Sequence, residues 1–355
     1  MYPALAAAEA MVKQYPDVSL SFVGTVGGFE RPLVEHAGVH FDTVDEVQAG
    51  PVHGVNPLRL ASSVFKLAVG TFQAFGLLAR RRPAAILSTG GWASLSVALA
   101  AWVRRIPLMI YLPDIEPGLT IRVLRRLARR VAVTVEESTQ YFGAHQVIVT
   151  GYPLRQDVKQ ATREEAYAHF GLDPAKKTVL VFGGSRGARA INIAVGDILS
   201  QILQSGVTQV IHITGTLDWE RLRAQVGSLM DHPDYHAYDY LHGSMGLAYA
   251  AADLAVCRAG ASVLGEFPYF GLPSILIPLA YTWHYQQVNA EYMASQGAAV
   301  HLDESRMEDL LPTIQKILND PVRLASMQSR ARALDHGDGA VNVARELMRL
   351  AGGTA

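Results

Sequence analysis

Short, continuous apolar runs alternate with stretches of helical periodicity along almost the whole chain, and this alternation sets the strongest limit on its fold. Ser19–Gly24, Ala84–Thr89, Pro107–Leu112, Val131–Val135 and Gln146–Thr150 read as strands in the first half. Thr178–Gly183, Gln209–Thr214, Leu254–Arg258, Pro273–Pro278 and Ala298–Leu302 do so in the second. Helical patterns fill most of the gaps, as at Arg186–Gln204 and Tyr285–Gln296. Strands apolar on both sides belong to sheets covered on both faces. Strand and helix in steady succession imply parallel sheets with crossover helices, so an α/β protein with Rossmann-like domains is expected. With 355 residues and roughly 150 per domain, two such domains are expected. The best boundary is Gly151-Tyr152-Pro153-Leu154-Arg155, where a strand runs into a Gly/Pro turn. A charged helix, Arg163–Phe170, follows, and a second strand–glycine–helix unit opens at Thr178. The expected division is 1–152, 153–339, and a terminal helix within 340–355 that packs back toward the first domain. Two domains of this kind would leave a ligand cleft at their strand carboxyl ends.

Composition removes several function classes. The chain is 50% hydrophobic and 18% charged, enough for two cores and unlike a disordered polymer. Its 31 basic and 32 acidic residues give a formal charge of -1, which argues against a general nucleic-acid binder. The single cysteine, Cys257, excludes an internal disulfide framework and a Cys-based zinc site. Its neighbours Leu254, Ala255 and Val256 mark it as a buried structural thiol. His232 and His236, like His36 and His40, stand four apart without an acidic cluster nearby, so no metal site is expected. Leu60–Ala79 has the length of a membrane span, but Lys66, Gln73, Thr71 and two serines mark it as a long amphipathic helix. No secretory signal is visible near Met1. The chain instead opens on a helix at Pro3, a favoured first-turn position for proline. A doubly wound domain begins with a strand and a glycine turn, so that piece is expected to precede Met1 in a heavier native protein.

Three motifs carry chemistry. In Val179–Arg189, Gly183-Gly184-Ser185-Arg186-Gly187 separates a strand from a helix, which lets backbone N–H groups approach an anion. A short-chain dehydrogenase loop looks similar, but no tyrosine here has a lysine four residues on. The second motif is Arg258-Ala259-Gly260-Ala261-Ser262, then Glu266, then Gly271-Leu272-Pro273. Its turn can also face an anion such as a diphosphate, and Glu266, a turn and a half into the following helix, can accept two bonds from vicinal ribose hydroxyls. The third is His284-Tyr285-Gln286-Gln287-Val288-Asn289, whose amides suit sugar hydroxyls.

Taken together, these spacings resemble the family 28 glycosyltransferases of the GT-B fold, and among them the MurG family. Gly183 to Asn192 matches Gly-Gly-Ser-x-Gly-Ala-Arg-x-x-Asn, and Arg258 to Pro273 matches Arg-x-Gly-Ala…Glu…Gly-Leu-Pro. Gly151–Arg155 is similar to the Gly-Asn-Pro-x-Arg linker, Gly90-Gly91-Trp92 to a Gly-Gly-Tyr turn, and Gly118-Leu119-Thr120 to a Gly-Leu-Thr segment. The resemblance implies an inverting transfer of N-acetylglucosamine from UDP-N-acetylglucosamine to a polyprenyl-diphosphate acceptor, lipid I to lipid II in peptidoglycan synthesis. It makes the first domain the acceptor and membrane side, and the second the donor side. Gly184 and Ser185 would hold donor phosphate with Arg155; Leu241, His242 and Met245 would border the uracil. Ala261 and Ser262 would sit at the diphosphate, Glu266 at the ribose, and Gln286 with Gln287 at the sugar. Gly90, Gly91, Trp92 and Asp114 would stand on the acceptor side. The resemblance implies UDP-N-acetylglucosamine as substrate, no tightly bound cofactor, no nucleic-acid partner, and a place in the cytoplasm on the inner face of the membrane.

Two departures bear on the acceptor. The family's Gly-x-Gly-Gly-His loop, with its candidate base histidine, would lie just before Tyr2-Pro3-Ala4-Leu5. The family's His-Glu-Gln-Asn is here Tyr111-Leu112-Pro113-Asp114, leaving Asp114 and Glu116 as acid–base candidates. A membrane partner fits a further pattern: Arg122, Arg125, Arg126, Arg129 and Arg130 recur at helical spacing, and a basic helix gains about 1 kcal/mol per charge at anionic lipid. The rival readings are an epimerase of UDP-N-acetylglucosamine, another glycolipid glycosyltransferase, and a nucleotide-sugar-binding protein without catalysis.

Overall fold

The computed structural model describes residues 1–51, 56–144, 146–184, 188–279 and 284–352. The chain divides into two compact units: Met1–Arg155 together with His336–Ala355, and Gln156–Asp335.

The first unit contains two parallel sheets. β1 (Ser21–Thr25) pairs with β2 (Thr43–Val47). β3 (Ile86–Ser88), β4 (Leu108–Leu112), β5 (Arg130–Val133) and β6 (Val147–Val149) form the other, in that order. β2 is short and only partly buried, so its sequence carries no apolar run and gave no strand signal. β4 is buried at every position, which is why it reads as continuously hydrophobic. One apolar cluster joins the sheets: Val47, Ala74, Leu78, Val97 and Ala100, with Val23 and Ile86 against it. The terminal helix Gly339–Leu350, capped by Asp338, packs on the opening helix Tyr2–Gln14 through Ala6, Ala10, Met11, Ala340 and Ala344. It also reaches β4, where Val343 meets Met109 and Tyr111.

The long helix spans Pro57–Arg81, with Asn56 accepting the Arg59 N–H at its start and Pro57 opening the first turn. Ala74, Leu77 and Leu78 are buried, whereas Phe65 is 70% and Phe72 83% exposed. Arg59–Arg81 is long and apolar enough to cross a membrane by length and composition. Its inner side lies very close to β2's exit: a Cβ on Gly70 would stand 1.9 Å from the Gln48 carbonyl oxygen.

The basic helix expected over Arg122–Arg130 does not form as one element. A helix runs only over Leu119–Leu124, turns follow, and β5 begins at Arg130, which pairs with Met109. The extended backbone that β4 requires of its neighbour ends the helix, so the five arginines share no face. Arg122 instead pairs with Glu116, and Arg125 donates to the Tyr141 carbonyl.

The second unit has six parallel strands: β7 (Lys177–Phe182), β8 (Thr208–Ile213), β9 (Tyr235–Tyr238), β10 (Leu254–Cys257), β11 (Ser274–Leu276) and β12 (Ala299–His301). Their spatial order is β12-β11-β10-β7-β8-β9. This is a doubly wound sheet whose order reverses between β7 and β10. Its core joins Val179, Val181, Val210, Leu254, Val256 and Ile275 to helices Arg189–Leu203 and Leu310–Leu318. β9, only four residues long and half-buried, is the second strand without a sequence signal.

Gly70→Ala should destabilise the protein by at least about 2 kcal/mol, the scale of overpacking against backbone that cannot retreat, as read by urea unfolding. An unchanged midpoint would show that the helix does not lie that close to Gln48.

Candidate functional site

In the second unit, β7 and β10 are hydrogen-bonded neighbours with Phe182 opposite Cys257, so the segments leaving their carboxyl ends emerge side by side. This is the switch point where ligands bind in sheets of this order. From β7 the chain enters Gly183-Gly184, and Gly184 has φ +85, a conformation that favours glycine. Ser185, the expected phosphate partner, lies outside the described residues. From β10 it enters Arg258-Ala259-Gly260 and a 3₁₀ turn, Ala261–Leu264, with Ala261 and Ser262 half-buried at its start.

Glu266 is not a turn and a half into one helix. Gly265 breaks the path, with φ −131 and ψ −47, and Glu266 is the first residue of a separate helix, Glu266–Phe270. That places its carboxylate at a helix start, where the macrodipole favours it. Tyr249, 3% exposed, donates its hydroxyl to Glu266 Oε2 at 2.7 Å. Tyr249 is in turn fixed by rings of Phe182 and Phe267 at 5.9 and 5.8 Å. Nothing in the sequence pattern singles Tyr249 out. Burial pushes the Cys257 thiol up, with Glu266 adding to it, so this cysteine is an inert part of the core.

Beyond β11, the Leu279 N–H donates to Gln286 Oε1 at 3.1 Å, which ties the start of helix Tyr285–Ser295 to the end of the strand. Gln287 instead donates to Glu291 along its own helix at 2.7 Å. Asn289, fully buried, donates to the Ala259 carbonyl at 3.1 Å and so links this helix to the β10 turn. After β9, Leu241 and His242 precede helix Met245–Ala251; the His242 ring is exposed, 4.8 Å from Tyr240.

Behind the Gly183-Gly184 turn lies a buried polar chain. His212 Nδ1 is 2.9 Å from the Tyr235 hydroxyl and Nε2 is 3.1 Å from Asn192 Oδ1. Asn192 Nδ2 donates to the Thr214 carbonyl and to Asp218, and Asp218 pairs with Arg189 in the first turn of the helix. With the Asn192 amide nitrogen so engaged, its oxygen faces the ring. The hydrogen therefore sits on Nε2, and Nδ1 accepts from Tyr235. The signal in the sequence was a histidine amid the apolar run of β8.

In the first unit, Gly90 (φ +88) and Gly91 (φ +95) leave β3, and Trp92 opens helix Trp92–Val103. Asp114 and Glu116 follow β4, the neighbouring strand. Glu116 is held by Arg122. Tyr111 is 1% exposed and bonded to Thr134, and Leu112 is 2% exposed, so neither presents a side chain to solvent at this edge. Arg155, the last residue of this unit, stacks its guanidinium 5.0 Å over the Tyr2 ring. No group of three or more His, Cys, Asp or Glu residues suited to a metal ion occurs among the described residues.

Two parallel α/β units, the second doubly wound with two strand-to-helix turns emerging at its switch point, put the chain in the class of α/β proteins that bind nucleotides at such a point. Residues 1–133 match the glycosyltransferase family 28 N-terminal domain and residues 178–343 the glycosyltransferase family 28 C-terminal domain. The chain belongs to glycosyltransferase family 28, and it is a hexosyltransferase by that membership. A relative from Roseiflexus sp. (strain RS-1) is 40% identical, covering 92% of this chain and 82% of its own. One from Desulforudis audaxviator (strain MP104C) is 36% identical, over 94% and 91%. Both are named UDP-N-acetylglucosamine--N-acetylmuramyl-(pentapeptide) pyrophosphoryl-undecaprenol N-acetylglucosamine transferase. Among solved structures, MurG of Acinetobacter baumannii aligns with a TM-score of 0.76 at 23% identity, over 98% of this chain and 95% of that one. A putative UDP-N-acetylglucosamine 2-epimerase from Listeria monocytogenes aligns at 0.70 with 13% identity, over 96% and 91%. These likenesses show the fold, which is GT-B.

Burial pushes His212 down to about 3 from an ordinary 6.5. The unfolded chain therefore binds the extra proton first, and stability falls as pH drops from about 6.5 toward 3, by at most about 1.4 kcal/mol per pH unit. His212→Gln should show a shallower fall between pH 6.5 and 4 in denaturant unfolding; equal slopes would mean that the imidazole is not held neutral.

Proposed function

We propose that this chain transfers N-acetylglucosamine from UDP-N-acetylglucosamine to N-acetylmuramyl-(pentapeptide) pyrophosphoryl-undecaprenol, with inversion. The observation that carries this reading is the pair of glycine turns at the β7/β10 switch point with Glu266 beside them, in a chain whose curated relatives bear that activity in their names. The epimerase alignments are close in fold but far in sequence, and they do not favour epimerisation over transfer.

In this reading the acceptor oxygen attacks the anomeric carbon, the bond to the UDP oxygen breaks, and the diphosphate leaves with the electron pair. Backbone N–H groups at Gly184 and around Ala261 and Ser262, with Ser185 and Arg155, stabilise the charge that develops on the leaving diphosphate. Glu266 accepts the ribose hydroxyls while Tyr249 holds its second oxygen in place. Leu241, His242 and Met245 border the base, and Gln286 with Gln287 reads the sugar. Gly90, Gly91 and Trp92 serve the acceptor, whose hydroxyl proton passes to a general base. Asp114 and Glu116 are the carboxylates we assign to that edge, Glu116 paired with Arg122.

The lipid acceptor also calls for a membrane-facing surface. Support comes from the long helix rather than from the arginines after Leu119. Leu60, Val64, Phe65 and Phe72 are exposed on it, and Arg80 and Arg81 close it. We assign this face to peripheral contact with anionic lipid, apolar side chains entering the interface and cations meeting headgroups.

Calorimetric titration should show micromolar binding of UDP and of UDP-N-acetylglucosamine, weakened by about tenfold or more in Glu266→Ala, the scale of a lost charged hydrogen-bond pair. A folded protein that binds neither ligand would end the donor assignment. Replacing Phe65 and Phe72 together by serine should release the protein from phosphatidylglycerol-containing vesicles in a sedimentation assay. Undiminished co-sedimentation would remove the helix from that role.

A further inference from the structure

Arg258, the residue that leaves β10, is 9% exposed in its side chain and spans three elements. Its Nη1 donates to the Ile277 carbonyl at 3.2 Å and the Pro278 carbonyl at 3.4 Å, both at the exit of β11. The same nitrogen bonds to Glu304 Oε2 from the 3₁₀ turn after β12, a carboxylate 25% exposed. One residue beyond Pro278, the Leu279 N–H is taken by Gln286. Leu279, Arg258 and Glu304, with Ala188, Arg189 and Ile193, line a cavity of about 460 Å³.

A guanidinium this buried needs a counter-charge, and its donors are strong only when the carboxylate keeps the side chain extended across the strand ends. Without Glu304, the cation keeps, among the described residues, the two carbonyl dipoles of Ile277 and Pro278, one at a long distance, and solvation draws it away from them. Leu279 and Gln286 then lose the anchor on the strand side. The β10 turn keeps its own independent hold, because Asn289 bonds the Ala259 carbonyl.

We infer that Glu304, acting through Arg258, is a positioning residue for recognition of the donor sugar and not of the nucleotide. It sets the exit of β11, and with it Leu279 and Gln286, against the turn that faces the diphosphate. This inference rests on the donor reading above, in which Gln286 meets the sugar, and it adds a residue outside every motif that led to that reading.

Titration of the full chain with UDP and with UDP-N-acetylglucosamine separates the two ideas. For Glu304→Ala, UDP affinity should stay within about twofold of the unsubstituted protein, while UDP-N-acetylglucosamine affinity should fall about tenfold, the size of one charge-assisted bond. Glu304→Gln, which keeps the shape and an accepting oxygen, should recover part of that loss and guards against a folding defect in the alanine variant. Loss of both ligands in equal proportion, or no change in either for both variants, would overturn the inference. Failure of the unsubstituted protein to bind either ligand would instead overturn the donor reading, leaving the two failures distinct.

Discussion

The parallel pairing of β7 with β10 is the contact on which the rest of the second unit depends. Strands so far apart in sequence become neighbours only because the chain reverses its winding direction after β9. Once Phe182 lies opposite Cys257, the Gly183-Gly184 turn and the Arg258–Ser262 turn must emerge together. Each turn alone is an ordinary strand-to-helix connection. Side by side they bring two such connections to one edge of the sheet, and in the reading proposed above their backbone N–H groups meet the diphosphate there.

Around that pair the sheet holds its polar residues by linking them to one another. Asn289 reaches Ala259, Gln286 reaches Leu279, Arg258 reaches β11 and Glu304, and Tyr249 reaches Glu266. His212 and Asn192 do the same behind the first turn. These bonds join loop to loop across the carboxyl edge of the sheet, and in a low-dielectric setting each polar group left without its partner would be costly. The result is an edge whose loops are tied to one another by named bonds.

The first unit follows a different logic. Tyr111 and Leu112 occupy the end of β4 with buried side chains, and Asp114 and Glu116 follow it, next to the strand that leads into the Gly90-Gly91 turn. The long helix buries Ala74, Leu77 and Leu78 but leaves the rings of Phe65 and Phe72 outside. Exposed apolar surface of this kind is where an interaction partner can bind, and the polyprenyl acceptor proposed above would supply one.

Most of the architecture was legible in the residues. Ten strands appear as apolar runs because a sheet covered on both faces demands them, and the glycine turns appear because backbone conformations such as Gly184's favour that residue. The family resemblance followed from motif spacing alone. The two strands that escaped notice, β2 and β9, are short and partly exposed, so no period marks them. The arginine run showed the limit of periodicity: its spacing suits a helix, but β4 needed a partner strand at Arg130, and tertiary pairing overrode local preference. Glu266, too, was placed by Gly265 breaking the helix, a choice made by packing. Chain chemistry thus determined which residues could serve a nucleotide sugar. Only the tertiary structure decided which of them touch, and through Tyr249, Asn289 and Glu304 what holds them, because those partners lie far away in sequence and no local pattern links them.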